Sequence, residues 1–214
     1  MARRSDHSKE ELRSMILDAA QRNLVQAGYA GLTARKIASD IDYTVGTLYH
    51  NFQNLDDIVL HVNARTLDDL YDALRAACER HREAQQRVMA IGRTYIDFAF
   101  KNRNRWSAVY DIPVRKETPV PDWYRARVTR NLEYVAIQLA PLVPEINPQQ
   151  LRKSAYMIWC SVHGMCVLSV GHKLEVPRAE LGVLAENFIK DYIAGLVIRD
   201  REKTRVVKRE AYVQ

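Results

Sequence analysis

The chain has only three cysteines, Cys78, Cys160 and Cys166. An odd number this small does not make a disulfide framework, so a reducing, cytoplasmic setting is expected. Residues 1–8 carry Arg3 and Arg4 but no apolar stretch, so no secretory signal is expected either. No segment alternates apolar and polar residues for long enough to make a strand, and neither an internal repeat nor a low-complexity tract is present. Uncharged runs are scarce as well. The exception, Ser154–Gly171, lacks Asp, Glu, Lys and Arg, yet Ser, Tyr, His and Gly leave it too few aliphatics to insert in a bilayer. A buried helix, and no membrane partner, is the expectation. Also missing are a glycine-rich phosphate loop, a Gly-x-Ser-x-Gly elbow and a His-Glu-x-x-His pair, so no enzyme activity is expected.

What is present is ordinary in bulk. The 214 residues are 47% hydrophobic and 27% charged, enough for one large domain or two small ones with a buried core. A formal charge of +6 and a pI near 9.3 favour an anionic partner. The first 54 residues nevertheless hold seven basic against six acidic side chains, and most of the excess lies around Lys101–Arg130 and in the tail. Net charge therefore does not locate a site.

Helix punctuation dominates the chain. Ser8 with Glu11 is a capping box, Leu12, Ile16, Ala19, Ala20, Leu24 and Val25 follow at helical spacing, and Gly28 supplies a stop. Thr33 caps a short second helix whose inner face is Ile37 and Ala38; Thr44 caps a short third through Tyr49. Asn54 with Asp57 opens a fourth, apolar at Ile58, Val62, Leu67, Leu70 and Leu74. Further helices are expected over Glu83–Phe100, Arg103–Tyr110 and Pro121–Ala140, with a loop over Asp111–Val120 that holds Pro113 and Pro119. Asn147-Pro148-x-Gln150 starts a helix to about His172. A last helix over Arg178–Arg199 carries Leu181, Leu184, Phe188, Tyr192 and Leu196 on one face, and the charged tail from Asp200 is expected to fray. The fold class is all-α, with about nine helices.

Two short helices joined by a tight turn and packed on a longer one form a helix-turn-helix unit, whose second short helix enters the DNA major groove N-terminus first. Thr44, Val45, Gly46, Thr47, Tyr49 and His50 would then face the duplex. Thr44 can offer a hydroxyl to a phosphate, Gly46 lets the backbone come close, and Thr47, Tyr49 and His50 can reach phosphates or base edges. His50 has a second reading as a residue that caps or is merely exposed. Leu48 and Phe52 are expected to be core.

Residues Thr33-Ala-Arg-Lys-Ile-Ala38 and Thr44-Val-Gly-Thr-Leu-Tyr-His-Asn-Phe52 resemble the DNA-binding domain of the tetracycline-repressor (TetR) family. Its recognition helix ends in Gly-Thr-Leu-Tyr-x-x-Phe, which Gly46–Phe52 matches throughout; with the first helix the likeness covers Ser8–Leu60. Three positions depart from the family pattern. Asp42 stands where a glycine is usual in the turn, Val45 where a lysine often follows the cap, and Leu55 where a lysine commonly opens the fourth helix. Val45 suits a thymine methyl. Thr33 is a further DNA-binding candidate; with fewer phosphate contacts, Arg35 and Lys36 and an arm with Arg3 and Arg4 are expected to compensate, and salt dependence should be shallower than in relatives.

The resemblance implies a DNA-binding head over residues 1–54 and a ligand-binding and dimerisation domain over 55–214. It implies a homodimer built by the last two helices, a palindromic double-stranded operator and a small-molecule effector, most simply for a repressor. The alternative is a helical interaction module with weakened DNA binding. Trp159-x-x-x-His163-Gly164 is similar to the Trp-His-Gly signature of one C-terminal subclass. Pocket candidates are aromatic and polar residues in apolar helices: Tyr95, Phe98, Trp106, Tyr110, Trp123, Tyr134, Tyr156, Trp159 and His163. Arg93 and Arg127, if turned inward, would favour an anionic ligand. Cys160, His163 and Cys166 span an arc of roughly 120° on one helix. Three such residues reach one tetrahedral centre poorly, so no metal or other cofactor is expected.

Overall fold

The structure, a computed structural model, describes residues 7–111, 119–171 and 173–211, with side chains through Arg201. Nine α-helices are present among the described residues: α1 (Lys9–Ala27), α2 (Ala34–Ser39), α3 (Val45–Asn51), α4 (Leu55–Cys78), α5 (Ala84–Lys101), α6 (Arg103–Asp111), α7 (Asp122–Leu139), α8 (Pro148–Val170) and α9 (Arg178–Ala211). Single 3₁₀ turns stand at Tyr29–Gly31 and Ala140–Leu142. The fold is all-α. No described helix is long and apolar enough to cross a membrane.

The caps form where the sequence places them. Ser8 Oγ accepts from the Glu11 amide at 3.2 Å while Glu11 Oε2 accepts from the Ser8 amide at 2.7 Å. Thr33 caps α2 and Asn147 caps α8, the latter accepting from the Gln150 amide at 2.8 Å. Gly28 ends α1 at φ 67°, a conformation that strains any residue with a Cβ. The expected fraying from Asp200 is not what the structure has: α9 runs on to Ala211. Charge alone does not end a helix, because Glu, Lys and Arg are among the better helix formers.

The chain folds as two compact units, Met1–Asp68 with Asn102–Arg125 and Asp69–Lys101 with Ala126–Gln214. The first unit contains α1–α3, the opening turns of α4, α6 and the start of α7. Its core is Leu12, Ile16, Leu24, Ile37, Leu48, Phe52, Ile58 and Val62, with Ala108 of α6. Buried Asn63 ties α4 to α6 by donating to the Ala108 carbonyl at 2.7 Å. Burial pushes the Tyr124 hydroxyl, beside Asn63, up to about 12.

In the second unit α5 packs on α8 and α9. A Cβ at Gly92 would lie 2.5 Å from Ile189 Cδ1, so glycine sets how closely α5 approaches α9. Here α9 differs from its expected face. It buries Leu181, Ala185, Ile189, Ile193 and Leu196, while Leu184 is exposed and Phe188 and Tyr192, stacked at 5.8 Å, are half-buried. The helix carries two apolar stripes, and this unit covers one of them.

Candidate nucleic-acid interface

The turn between α2 and α3 is made by Asp42 at φ 56°, which takes the left-handed conformation that glycine usually supplies. The Ile41 and Tyr43 amides both reach back to the Ala38 carbonyl, at 3.3 and 3.0 Å. Tyr43 is further fixed by its hydroxyl, 2.9 Å from Nδ1 of His7. Thr44 then caps α3, its Oγ1 accepting from the Thr47 amide at 3.2 Å and lying 3.0 Å from Thr47 Oγ1.

The two faces of α3 differ sharply. Leu48 and Phe52 are buried in the head's core. Thr44, Gly46, Tyr49 and His50 are exposed, Tyr49 to 46%, and Thr47 is half-buried beside them. A Cβ at Gly46 would meet only Thr44 Oγ1, at 3.6 Å, so nothing within the protein demands glycine there. Thr33, Arg35 and Lys36 are exposed at the start of α2. Val45 and Leu55 are half-buried and pack against the core. Their apolar character therefore has work inside the head. Arg3 and Arg4 lie outside the described residues.

One residue at this end of the molecule escapes sequence reasoning. Arg13 of α1 donates through Nη1 to the carbonyl of Asn51, the last residue of α3, and its guanidinium lies 4.1 Å from the centre of the Phe52 ring. Its Nη2 is 3.4 Å from Nε2 of His61, and that imidazole stacks on Trp123 at 4.5 Å with 12° between the planes. Only the position of Arg13, directly after buried Leu12, hints that its side chain runs along the core's edge.

The pocket candidates separate. Trp106, Tyr110 and Trp123 belong to the first unit: Trp106 is buried 5.4 Å from Tyr110, and Trp123 is against His61. In the second unit Tyr95, Trp159 and His163 come together, the Tyr95 hydroxyl 2.8 Å from His163 Nδ1 and the Tyr95 and Trp159 rings 5.5 Å apart. Burial holds the His163 imidazolium below its ordinary range. Tyr95 and Trp159 also line an apolar crevice with Leu74, Ile91, Val135 and Ile158. Its volume of about 20 Å³ has room for about one water.

Phe98 is buried, Tyr156 is exposed to 49%, and Arg127 is half-buried. Tyr134 packs edge-on against Tyr71 at 5.3 Å. Arg93 is exposed and ion-paired with Glu186, so it does not turn inward. Cys160 is exposed and Cys166 buried, which sets the two thiols on different sides of α8. Among the described residues no three His, Cys, Asp or Glu side chains could hold a metal ion. Burial pushes the Cys166 thiol up to about 12.

Known proteins share both parts of this arrangement. Residues 16–62 match the profile for bacterial regulatory proteins of the tetR family, and residues 88–192 match the profile for the tetracyclin repressor-like C-terminal domain. An HTH-type transcriptional regulator of Mycobacterium tuberculosis is 26% identical over 125 residues, 58% of this chain and 53% of that protein. The chain thus spans about half the length of that relative. Among solved structures, a tetR-family transcriptional regulator from Streptomyces coelicolor superposes with a TM-score of 0.72 at 19% identity, covering 95% of this chain and 89% of that one. A protein of unknown function from Rhodococcus sp. RHA1 gives 0.71 at 20% identity, over 90% and 98%. With its head and its C-terminal region each matched to the corresponding part of one family, the chain belongs to the tetR family of bacterial regulatory proteins.

Proposed function

We propose that this protein is a homodimeric, ligand-responsive, DNA-binding transcriptional regulator that works in the cytoplasm as a repressor, released from a palindromic operator by a small-molecule effector. The observation that carries the reading is the division of α3. Its apolar residues lock it to the head, while Thr44, Gly46, Tyr49 and His50 present small or hydrogen-bonding groups outward. Thr33 and Arg35 extend that surface along α2, and Thr47 and Val45 flank it. The head covers residues 1–54, and the effector and dimerisation region begins at Leu55.

Dimerisation through α8 and α9 is supported by side chains that neither helix buries. Tyr156, Met157, Val167 and Leu168 on α8 and Val183, Leu184 and Ile198 on α9 are each at least 42% exposed. So many exposed large apolar groups on two neighbouring helices mark an interaction surface. A second copy fits it, since an isologous interface needs only one self-complementary patch. Val167→Glu combined with Leu184→Lys is expected to give monomers in sedimentation while leaving each subunit folded.

The effector would enter between α5, α7 and α8, where Tyr95, Trp159 and His163 meet at the crevice. Trp159 and His163-Gly164 are the residues that support assigning the protein to the Trp-His-Gly subclass on this reading. A ligand releases the operator only if it binds one dimer geometry more tightly than the other.

Selection of bound duplexes from a random DNA pool tests the whole proposal. Recovery of a sequence with dyad symmetry is the expected result; bound sequences without it would count against a dimeric reader. The apolar packing of Val45 and Leu55 favours one competitor, a helical interaction module with weakened DNA binding. Unchanged DNA affinity in Tyr49→Phe or Thr44→Ala would support that instead.

A further inference from the structure

A recognition helix of two turns is a poor lever unless something fixes its far end. At 1.5 Å per residue, the seven residues of α3 are about 10 Å long. A small tilt at the C-terminus therefore displaces Thr44–Thr47 at the other end. The C-terminal carbonyls of any helix lack intrahelical donors and carry partial negative charge. In α3 the Phe52 amide bonds to the Leu48 carbonyl at 2.9 Å, and Asn51 Nδ2 donates to the Thr47 carbonyl at 2.9 Å. The Asn51 carbonyl is taken by Arg13 of α1.

Arg13 does more than cap. Its guanidinium covers the Phe52 ring at 4.1 Å, and Nη2 is 3.4 Å from His61 Nε2, so the planar fork spans α3, the connector and α4. Two further groups lie against His61. Asp57 Oδ1 lies 3.6 Å from its Nε2, and Trp123 stacks on its ring face at 4.5 Å. The other oxygen of Asp57 accepts from the Gln53 amide at 3.0 Å, which pins the connector immediately after Phe52. All of these residues belong to the first compact unit.

We infer that Arg13 is the positioning residue of the recognition helix, and that His61 and Trp123 hold Arg13 in place. Trp123 stands in the second position of α7. A shift at the start of that helix thereby alters the set of α3 without touching DNA or any residue that contacts it. For its consequence the inference rests on the DNA-binding reading; for its geometry it does not.

The experiment compares Arg13→Met, Arg13→Lys, Trp123→Ala and the Arg13→Met/Trp123→Ala double variant of the full chain. Amide hydrogen exchange over residues 44–54 is read in the free protein, and affinity is read on the duplex that the wild type selects from the random pool. Arg13→Met is expected to speed exchange at Leu48–Phe52 and to weaken binding about tenfold, with the rest of the first unit as protected as before. Lys cannot span the Asn51 carbonyl and His61 together, so Arg13→Lys should recover only part of both effects. Trp123→Ala should give the same exchange footprint and about a threefold loss, and the double variant should be no worse than Arg13→Met, because both act through one contact. Unchanged exchange over 44–54, or protection lost evenly across α1–α4, would overturn the inference, as would additive losses in the double variant. If the exchange pattern appears but the wild type selects no duplex, the positioning role stands and the DNA-binding reading fails.

Discussion

The two compact units solve the problem of surface in opposite ways. Of the eleven large hydrophobic side chains left exposed among the described residues, three belong to the first unit, Val25, Tyr49 and Tyr110. The other eight, from Ile137 to Ile198, belong to the second, most of them on α8 and α9. The first unit satisfies its apolar surface internally and turns hydroxyls, a glycine, a phenol and an imidazole outward. The second buries one stripe of each long helix and leaves another uncovered. On the proposed reading, the difference teaches what kind of partner suits each unit. A polar outward face recruits something hydrated and charged; an apolar one recruits protein.

The contrast is sharpest between two adjacent residues. Leu48 is fully buried and Tyr49 is 46% exposed. Leu48→Ala is expected to cost about 3 kcal/mol in denaturant unfolding, since it removes packing and leaves a cavity at the centre of the head. Tyr49→Ala should change stability by less than ~0.5 kcal/mol yet lower DNA affinity about tenfold or more. Comparable unfolding losses for the two variants would show that Tyr49 is core support and erase the distinction between the faces of α3.

A smaller effect probes the second unit at the start of α8. Asn147→Ala removes the acceptor of the Gln150 amide, and a loss of about 1 kcal/mol is expected in that unit's thermal transition. An equal change at the head would mean that the units do not unfold separately.

The smallest effect is read in pH. Burial depresses the His163 imidazolium in the folded chain below its ordinary value of 6.5. Between the folded and unfolded values the unfolded chain binds more protons, so stability is full above about pH 6.5 and is lost as pH falls through the folded value. His163→Gln should flatten the acid side of a melting-temperature profile between pH 7.5 and 5. An unchanged slope would place the acid sensitivity elsewhere.

Helix starts are legible in the sequence of both units. Ser8, Thr33, Thr44 and Asn147 announce helix starts because a cap is a contact between residues three apart, and such contacts are written in local order. Leu48 and Phe52 at i and i+4 give away the inner face of α3. The pocket candidates were not legible in the same way. Any aromatic in an apolar helix fits the pattern, and only packing separated Trp106, Tyr110 and Trp123 from Tyr95, Trp159 and His163. The inner face of α9 escaped for a related reason: with two apolar stripes, periodicity cannot choose which one a subunit keeps for itself.

By itself, then, the sequence determined where the helices start, the turn at Asp42 and the outward placing of Thr44, Gly46, Tyr49 and His50, but neither the packing of Val45 nor the reach of α9 to Ala211. What it determined follows from dihedral preference, capping and periodicity within a few residues. Only the tertiary structure decided that Arg13 reaches Asn51, Phe52 and His61, that Trp123 stacks on His61, and that Tyr95 meets His163. Those pairings join residues 38 to 68 positions apart. They exist because the packing of whole helices, and no local rule, brings the side chains within reach.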